Sequence, residues 1–200
     1  ERTVLDTGVR HRTPPFTPRL LRDARGQEAK GLTGTTPDIQ AAGDEALLAK
    51  YNLKANDAIL AEDSHAPLYE DLLTNYDAKL IAGGAAQNSA RGAQYILPPN
   101  SVVYVGGVGD DKYAAILKDA VSAAGLRVEY RVDKEVPTGL CGAVITGHNR
   151  SLCTSLGAAN HYDLEHLKKP EVWALAEGSE VIYVGGYHCT GKALLSCPLA

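Results

Sequence analysis

Apolar positions along the chain follow two different periods, and segments of the two kinds alternate. Short apolar runs that end in Gly-Gly occupy residues 79–84, 101–107 and 180–186. Uninterrupted runs of this kind are typical of strands buried in a parallel sheet. The first two runs lead into stretches with helical spacing at 85–96 and 110–126. Strands that alternate with helices predict an α/β fold, in which a largely parallel sheet is flanked by helices.

The remaining pattern adds shorter elements and a hairpin. The additional elements are helices at 44–51 and 67–76, a strand at 127–132, and a helix at 164–178 that is divided at Pro170. Two segments rich in strand-forming residues, 138–147 and 151–157, flank the turn His148-Asn149-Arg150. This arrangement predicts a β-hairpin.

The two ends of the chain differ in character from its centre. Residues 1–36 hold seven basic and four acidic side chains with little periodicity, and we expect them to be irregular or disordered. Order is expected to begin near Pro37. The sequence therefore predicts an α/β domain over 37–188, between a divergent segment at 1–36 and a divergent tail at 189–200.

Composition narrows the classes of function. A hydrophobic content of 44% with 22% charged residues is ordinary for a soluble globular protein. The formal net charge of −4 argues against nucleic-acid binding, which needs clustered Lys and Arg. No apolar run approaches the roughly 18–20 residues of a membrane span. We expect a monomer in the cytoplasm, with the nucleus left open. The four cysteines lack the spacing of a zinc site, and we expect them to be reduced thiols.

Three glycine-rich turns follow apolar runs and are candidate ligand sites. After Gly83 and Gly84, Asn88 lies one turn into a helix, where its amide can bind a sugar hydroxyl, although such turns are often purely structural. The turn at 106–109 lacks the GxGxxG spacing of a dinucleotide site. Residues 186–192 match the GxxxxGK of a phosphate loop, but Ala193 follows where Ser or Thr would bind Mg²⁺.

Carboxylates and histidines give a weaker signal. Asp110 and Asp111 could hold Mg²⁺, although an acidic pair more often begins a helix, where it suits the helix dipole. The six histidines show no metal-ligand spacing. No metal site is predicted.

Together and in order, five segments resemble adenosine kinases of the ribokinase (PfkB) group: 38–63, 78–95, 102–120, 137–162 and 180–188. The GG–QN and GGVGDD elements mark the wider group. The PTG…NRSL…AAN string within 137–162 is particular to adenosine kinases. The resemblance covers residues 38–188 and is to the nucleoside-binding half.

The resemblance implies an incomplete ribokinase-like parallel sheet flanked by helices, with the hairpin as a small lid. It also implies transfer of phosphate from ATP, with Mg²⁺, to adenosine as the small-molecule ligand, which yields AMP. The implied substrate-binding residues are Asp38, Gly83, Gly84 and Asn88 at the ribose, and Cys141, Leu152 and Tyr187 around the base. Arg150 of the lid is implied to lie near the phosphates.

Both ends depart from the family pattern. Residues 1–36 show no counterpart of the family's first strand, and Gly34 stands where the family has Asn. Beyond His188 the resemblance stops, and the Gly-Ala-Gly-Asp loop that supplies the family's anion hole and general base does not occur in these 200 residues. Asp110 aligns with an earlier element and is not assigned as the base. We therefore expect an adenosine kinase by family that is inactive as this chain; a non-catalytic nucleoside-binding protein and a P-loop protein using Gly186 and Lys192 are the alternatives.

Overall fold

The computed structural model describes residues 35–184, which form a mixed α/β structure. Its strands are β1 Pro37–Ala42, β2 Ala58–Leu60, β3 Lys79–Ala82, β4 Val103–Gly109, β5 Arg127–Asp133, β6 Thr138–Thr146 and β7 Asn149–Gly157. Its helices are α1 Glu45–Lys50, α2 Ala66–Asn75, α3 Ala85–Ile96, α4 Lys112–Ala123, α5 Leu164–Leu167 and α6 Pro170–Glu177. Short 3₁₀ turns lie at Asp63–His65 and Ala158–His161.

The strands form two sheets. One has five strands in the order β2-β7-β6-β1-β3, and the other pairs β4 with β5. The pairings β1–β6, β2–β7 and β4–β5 are parallel, whereas β6–β7 and β1–β3 are antiparallel. The expectation of a parallel-rich sheet with flanking helices is thus confirmed.

Helices α1 and α2 cover one face of the five-stranded sheet, which we call the back face. The apolar core there consists mainly of Ile39, Ala41, Val144 and Cys153 from the strands, with Leu47, Leu48, Leu68 and Leu72 from the helices. Packing is close, because a methyl group added at Gly142 of β6 would lie 3.2 Å from Leu68 Cδ2. Burial of these side chains fixes which face of each strand points away from the helices.

A second core joins α4 to the two-stranded sheet. Val108 of β4 and Leu117 of α4 are fully buried in one apolar cluster. Ala82, at the end of β3, belongs to the same cluster. The Asp111 side chain caps α4 by accepting hydrogen bonds from the backbone N–H groups of Tyr113 and Ala114. The interpretation of the acidic pair as a helix start is correct for Asp111.

Most of the predicted elements are found close to their expected bounds. Helix α3 begins and ends as predicted, and the helix at 164–178 is divided in two at Pro170. The hairpin is present, but its turn, at 147–148, begins one residue earlier than predicted and is one residue shorter: Thr146 pairs with Asn149, and Gly147 adopts a φ of +58°. Only glycine takes that conformation without cost, which explains the shift.

The prediction of a buried strand at 180–186 is wrong for its described part. Residues 181–184 form no strand, and Val181, Ile182, Tyr183 and Val184 are 51–84% exposed. An apolar run becomes a buried strand only where a neighbouring strand pairs with its backbone. Within residues 35–184, no strand pairs with this segment. The structure also contains two strands that were not predicted, β1 and β2.

Candidate functional site

Five side chains form a row across the face of the five-stranded sheet opposite to α1 and α2, which we call the open face. The strand registers place Ile81 of β3 beside Asp38, Asp38 beside Cys141, Cys141 beside Thr154, and Thr154 beside Leu60. Side chains directly opposite each other on paired strands lie on the same face. The row, Ile81-Asp38-Cys141-Thr154-Leu60, therefore places one carboxylate in the middle of largely apolar neighbours.

Asp38 lies on β1 beside the turn that follows β3. A methyl group added at Gly83 would lie 2.5 Å from Asp38 Oδ1 and 2.8 Å from the Thr36 carbonyl oxygen. Only a glycine fits at position 83 while Asp38 keeps its place. Burial raises the pKa of Asp38, and a hydrogen bond from the Cys141 side chain and the positive charge of Arg150 oppose this effect. The carboxylate is thus half-buried, and the two side chains that offset the effect of burial on its pKa belong to the β6–β7 hairpin.

The Gly83-Gly84 turn starts α3. Gly84 is the N-cap residue and has a φ of +93°. No side chain caps this end of α3 with a hydrogen bond. Unpaired N–H groups at a helix start can bind an oxygen atom of a ligand. Asn88 is exposed one turn further on, and Arg91 Nη1 donates to its Oδ1 at 3.4 Å. Asn88 is therefore accessible to a ligand that lies over the turn.

Cys141 and further residues of the β6–β7 hairpin extend the open face from Asp38. The Cys141 thiol is buried, which raises its pKa to about 12, and Thr154 Oγ1 donates to its Sγ at 3.3 Å. Leu152 lies opposite Ala143, one row nearer the hairpin turn, and Arg150 lies opposite Ile145 in the next row. Arg150 is exposed. The predicted residues Asp38, Cys141, Leu152 and Arg150 thus share one face, whereas Tyr187 lies outside the described residues.

The GGVGDD element has a structural role. Asp111 Oδ2 accepts from the Thr138 backbone N–H at 2.7 Å, and its Oδ1 accepts from the Thr138 hydroxyl at 2.8 Å. Thr138 Oγ1 in turn accepts from the Gly109 backbone N–H at 2.9 Å. Burial raises the pKa of Asp111, but its hydrogen bonds outweigh burial and the net pKa is lowered. Its oxygens are occupied, so Asp111 does not fit the role of a Mg²⁺ ligand.

Residues 35–184 bring no three His, Cys, Asp or Glu side chains together as a metal site would require. In the same residues, no helix is both long and apolar enough to cross a membrane.

Three residues of the row were missed in the sequence. Leu60 and Ile81 are each 42% exposed despite being apolar, and Thr154 is 2% exposed despite being polar. Leu60 belongs to a strand of three residues, which is too short for periodicity to indicate. Alternation along β7 from Leu152 could have indicated Thr154, because residues two apart in a strand share a face.

Comparison with known proteins identifies the family. The sequence profile described as pfkB family carbohydrate kinase matches residues 45–199. The chain belongs to this family. It is 50% identical to the adenosine kinase of Schizosaccharomyces pombe over 162 residues, which is 80% of this chain and 46% of that protein. It is 44% identical to adenosine kinase 2 of Arabidopsis thaliana over 161 residues, with 80% and 47% covered.

Solved structures show the same relationship in three dimensions. The adenosine kinase of Anopheles gambiae, solved with a di(adenosine) tetraphosphate, matches with a TM-score of 0.77 and 42% identity, over 81% of this chain and 49% of that chain. The Schistosoma mansoni adenosine kinase, solved with adenosine, matches with a TM-score of 0.74 and 33% identity, over 78% and 46%. The pfkB-family chain thus spans about half the length of the relatives it matches.

Proposed function

We propose that this chain binds adenosine on the open face of its five-stranded sheet, as the nucleoside-binding half of an adenosine kinase. The observation that carries the proposal is the half-buried Asp38 carboxylate, which lies against a glycine turn and among largely apolar neighbours in the row. A carboxylate accepts hydrogen bonds from two neighbouring hydroxyl groups, and apolar side chains beside it suit a base. Identity to adenosine kinases of 44–50% makes adenosine the preferred nucleoside.

The proposed roles follow the positions of the side chains. Asp38 accepts from the ribose hydroxyls, and Asn88 with the Gly84 turn holds the same sugar from the α3 side. Leu152 and Cys141 border the base, and Leu60 extends that apolar wall because it lies beside Thr154 in the row. Arg150, at the hairpin end of the open face, is suited by its charge to phosphate. Tyr187 is kept as a base-pocket residue on the resemblance alone.

Phosphate transfer itself needs more than this face. It depends on positioning of ATP and Mg²⁺, on stabilisation of charge, and on a base for the attacking hydroxyl. The Asp111 carboxylate is engaged in capping α4 and binding Thr138. We therefore infer that the 200-residue chain binds adenosine without converting it to AMP. The expected test is to incubate the purified chain with ATP, Mg²⁺ and adenosine, where robust AMP formation contradicts this inference.

Calorimetry tests binding directly. Adenosine should release heat on mixing with the wild-type chain, and Asp38→Asn should abolish that heat, because the uncharged amide offers one accepting oxygen where the carboxylate offers two. Asp119→Asn, a surface carboxylate of α4, is the matched control and should bind as the wild type does. 2′-Deoxyadenosine should bind more weakly than adenosine. Equal binding of both nucleosides, or no heat at millimolar adenosine, argues against the ribose role of Asp38.

A further inference from the structure

Thr154 is a polar side chain on the open face whose hydroxyl serves another side chain. It is 2% exposed, and its Oγ1 donates to Cys141 Sγ at 3.3 Å. In the row across the sheet, Cys141 lies between Thr154 and Asp38. Neighbouring positions of the row therefore connect a hydroxyl, a thiol and a carboxylate, which are contributed by β7, β6 and β1.

The chemistry of these three side chains decides which of them can donate a proton to which. A thiol carries one proton and can also accept one weakly, whereas an ionised carboxylate can only accept. When Thr154 donates to the sulfur, the thiol proton remains for Asp38, which is the direct neighbour of Cys141 across the β1–β6 pair. Because burial holds the pKa of the Cys141 thiol at about 12, it keeps that proton across the physiological range.

We propose that Thr154 is a positioning residue for Asp38, which acts through the Cys141 thiol. The Thr154 hydroxyl fixes the rotation of the S–H bond so that it points to the Asp38 carboxylate, and this orients the carboxylate toward the ligand. The consequence for nucleoside affinity rests on the proposed adenosine function. The consequence for Asp38 does not, since it concerns only side chains of the unliganded protein.

The groups that face Asp38 from the neighbouring elements define what must be controlled. Cys141 lies beside it on β6, and the charge of Arg150 reaches it from β7. On the other side, Ile81 of β3 is its direct neighbour, and the charged Lys79 lies opposite Gln40, one row further along. The Gly83 turn contributes backbone only. Cys141, Arg150 and Lys79 are the same in all Thr154 variants. Any change in the titration of Asp38 can therefore be attributed to Thr154.

The experiment compares Thr154→Val with Thr154→Ser in the full chain. Valine keeps the shape and the β-branching of threonine but removes the donor, whereas serine keeps the donor. The first measurement is the pH titration of the Asp38 carboxyl carbon by NMR, which needs no ligand. Thr154→Val should raise the pKa of Asp38, because a less well-oriented thiol stabilises the charged form less. Thr154→Ser should restore the wild-type titration.

The second measurement is adenosine affinity by calorimetry. Loss of one hydrogen bond's net contribution predicts about two- to tenfold weaker binding for Thr154→Val and near-wild-type binding for Thr154→Ser. Thermal melting of each variant checks that it is folded. Absence of adenosine binding by the wild type overturns the proposed function only, because the NMR titration still decides the role of Thr154.

A Cys141→Ala background tests the route. If Thr154 acts through the thiol, adding Thr154→Val to Cys141→Ala should not shift the Asp38 titration further. An equal shift in both backgrounds overturns the proposal, since Thr154 would then act by another path. An unchanged Asp38 titration in Thr154→Val, or equal shifts for the valine and serine variants, overturns it as well.

Discussion

Replacement of Gly83 by alanine tests the geometry of the open face with the smallest possible change. The added methyl group would lie 2.5 Å from Asp38 Oδ1, 2.7 Å from its Cγ and 2.8 Å from the Thr36 carbonyl oxygen. Carbon atoms do not approach these groups below about 3 Å, so something must move. The Thr36 oxygen belongs to the backbone just before β1 and cannot swing aside as a side chain can. The carboxylate is therefore expected to be displaced from its position over the turn.

The magnitude follows from overpacking. Inserting a methyl group into a tightly packed site costs about 1–3 kcal/mol. For a folded unit of this size, the cost lowers Tm by roughly 3–10 °C. Gly92→Ala is the matched control: Gly92 lies inside α3, and an added methyl group there has no neighbour within 4 Å. Alanine at a helix interior is favoured over glycine by about 0.5–1 kcal/mol, so this control should be slightly more stable than the wild type.

The assay combines thermal unfolding, followed by circular dichroism, with adenosine calorimetry on the three proteins. Gly83→Ala should unfold at lower temperature and lose adenosine heat, whereas Gly92→Ala should keep both. A Gly83→Ala protein with the wild-type Tm and affinity refutes the close approach of Asp38 to the turn. A protein that is destabilised but binds normally refutes instead the role of Asp38 at the ligand.

Three further expectations concern stability and reactivity. Asp111→Asn should lower the free energy of unfolding by about 1–3 kcal/mol in urea titrations, because Asp111 caps α4 and binds Thr138. The folded-state pKa of Asp111 lies below the ordinary value for an aspartate, so its charge stabilises the fold at pH values above that ordinary pKa. This stabilisation is lost as the pH falls through the folded-state pKa, and the difference in stability from Asp111→Asn should then shrink. Leu68→Ala should cost about 2–5 kcal/mol, since Leu68 is fully buried on the back face. Cys141 and Cys153, with pKa values raised by burial to about 12 and 11, should be alkylated only as fast as the protein unfolds, as peptide mass spectrometry can show.

Local signals in the sequence were sufficient for most helices. Helix α3 follows a glycine turn and has its apolar spacing within twelve residues, so its bounds depend on neighbours along the chain. The division of the last helix at Pro170 is equally local. Proline has no backbone N–H, so it cannot donate the hydrogen bond that would continue the preceding helix. These elements were predicted because the interactions that define them span only a few residues.

Strands that depend on distant partners could not be predicted in the same way. Strand β2 has only three residues, and its pairing with β7 joins Ala58 to Leu152, far apart in sequence. Residues 181–184 show the converse case: a strongly apolar run reads as a strand, yet no described strand pairs with it. Apolar character indicates that a segment can be buried, whereas pairing decides whether it becomes a strand.

The candidate site also depends on distant strand partners, through the register in which the strands pair. The resemblance identified Asp38, Gly83 and Cys141 individually, but these residues come together only because β1 pairs with both β3 and β6 in one particular alignment. A slip by one residue would turn Asp38 into the core and Ile39 outward, because side chains alternate between the faces of a strand. Ile39 is fully buried beneath α1 and α2, so the slip would bury a charge and expose an apolar group. The apolar core on the back face therefore fixes the position of the carboxylate on the open face.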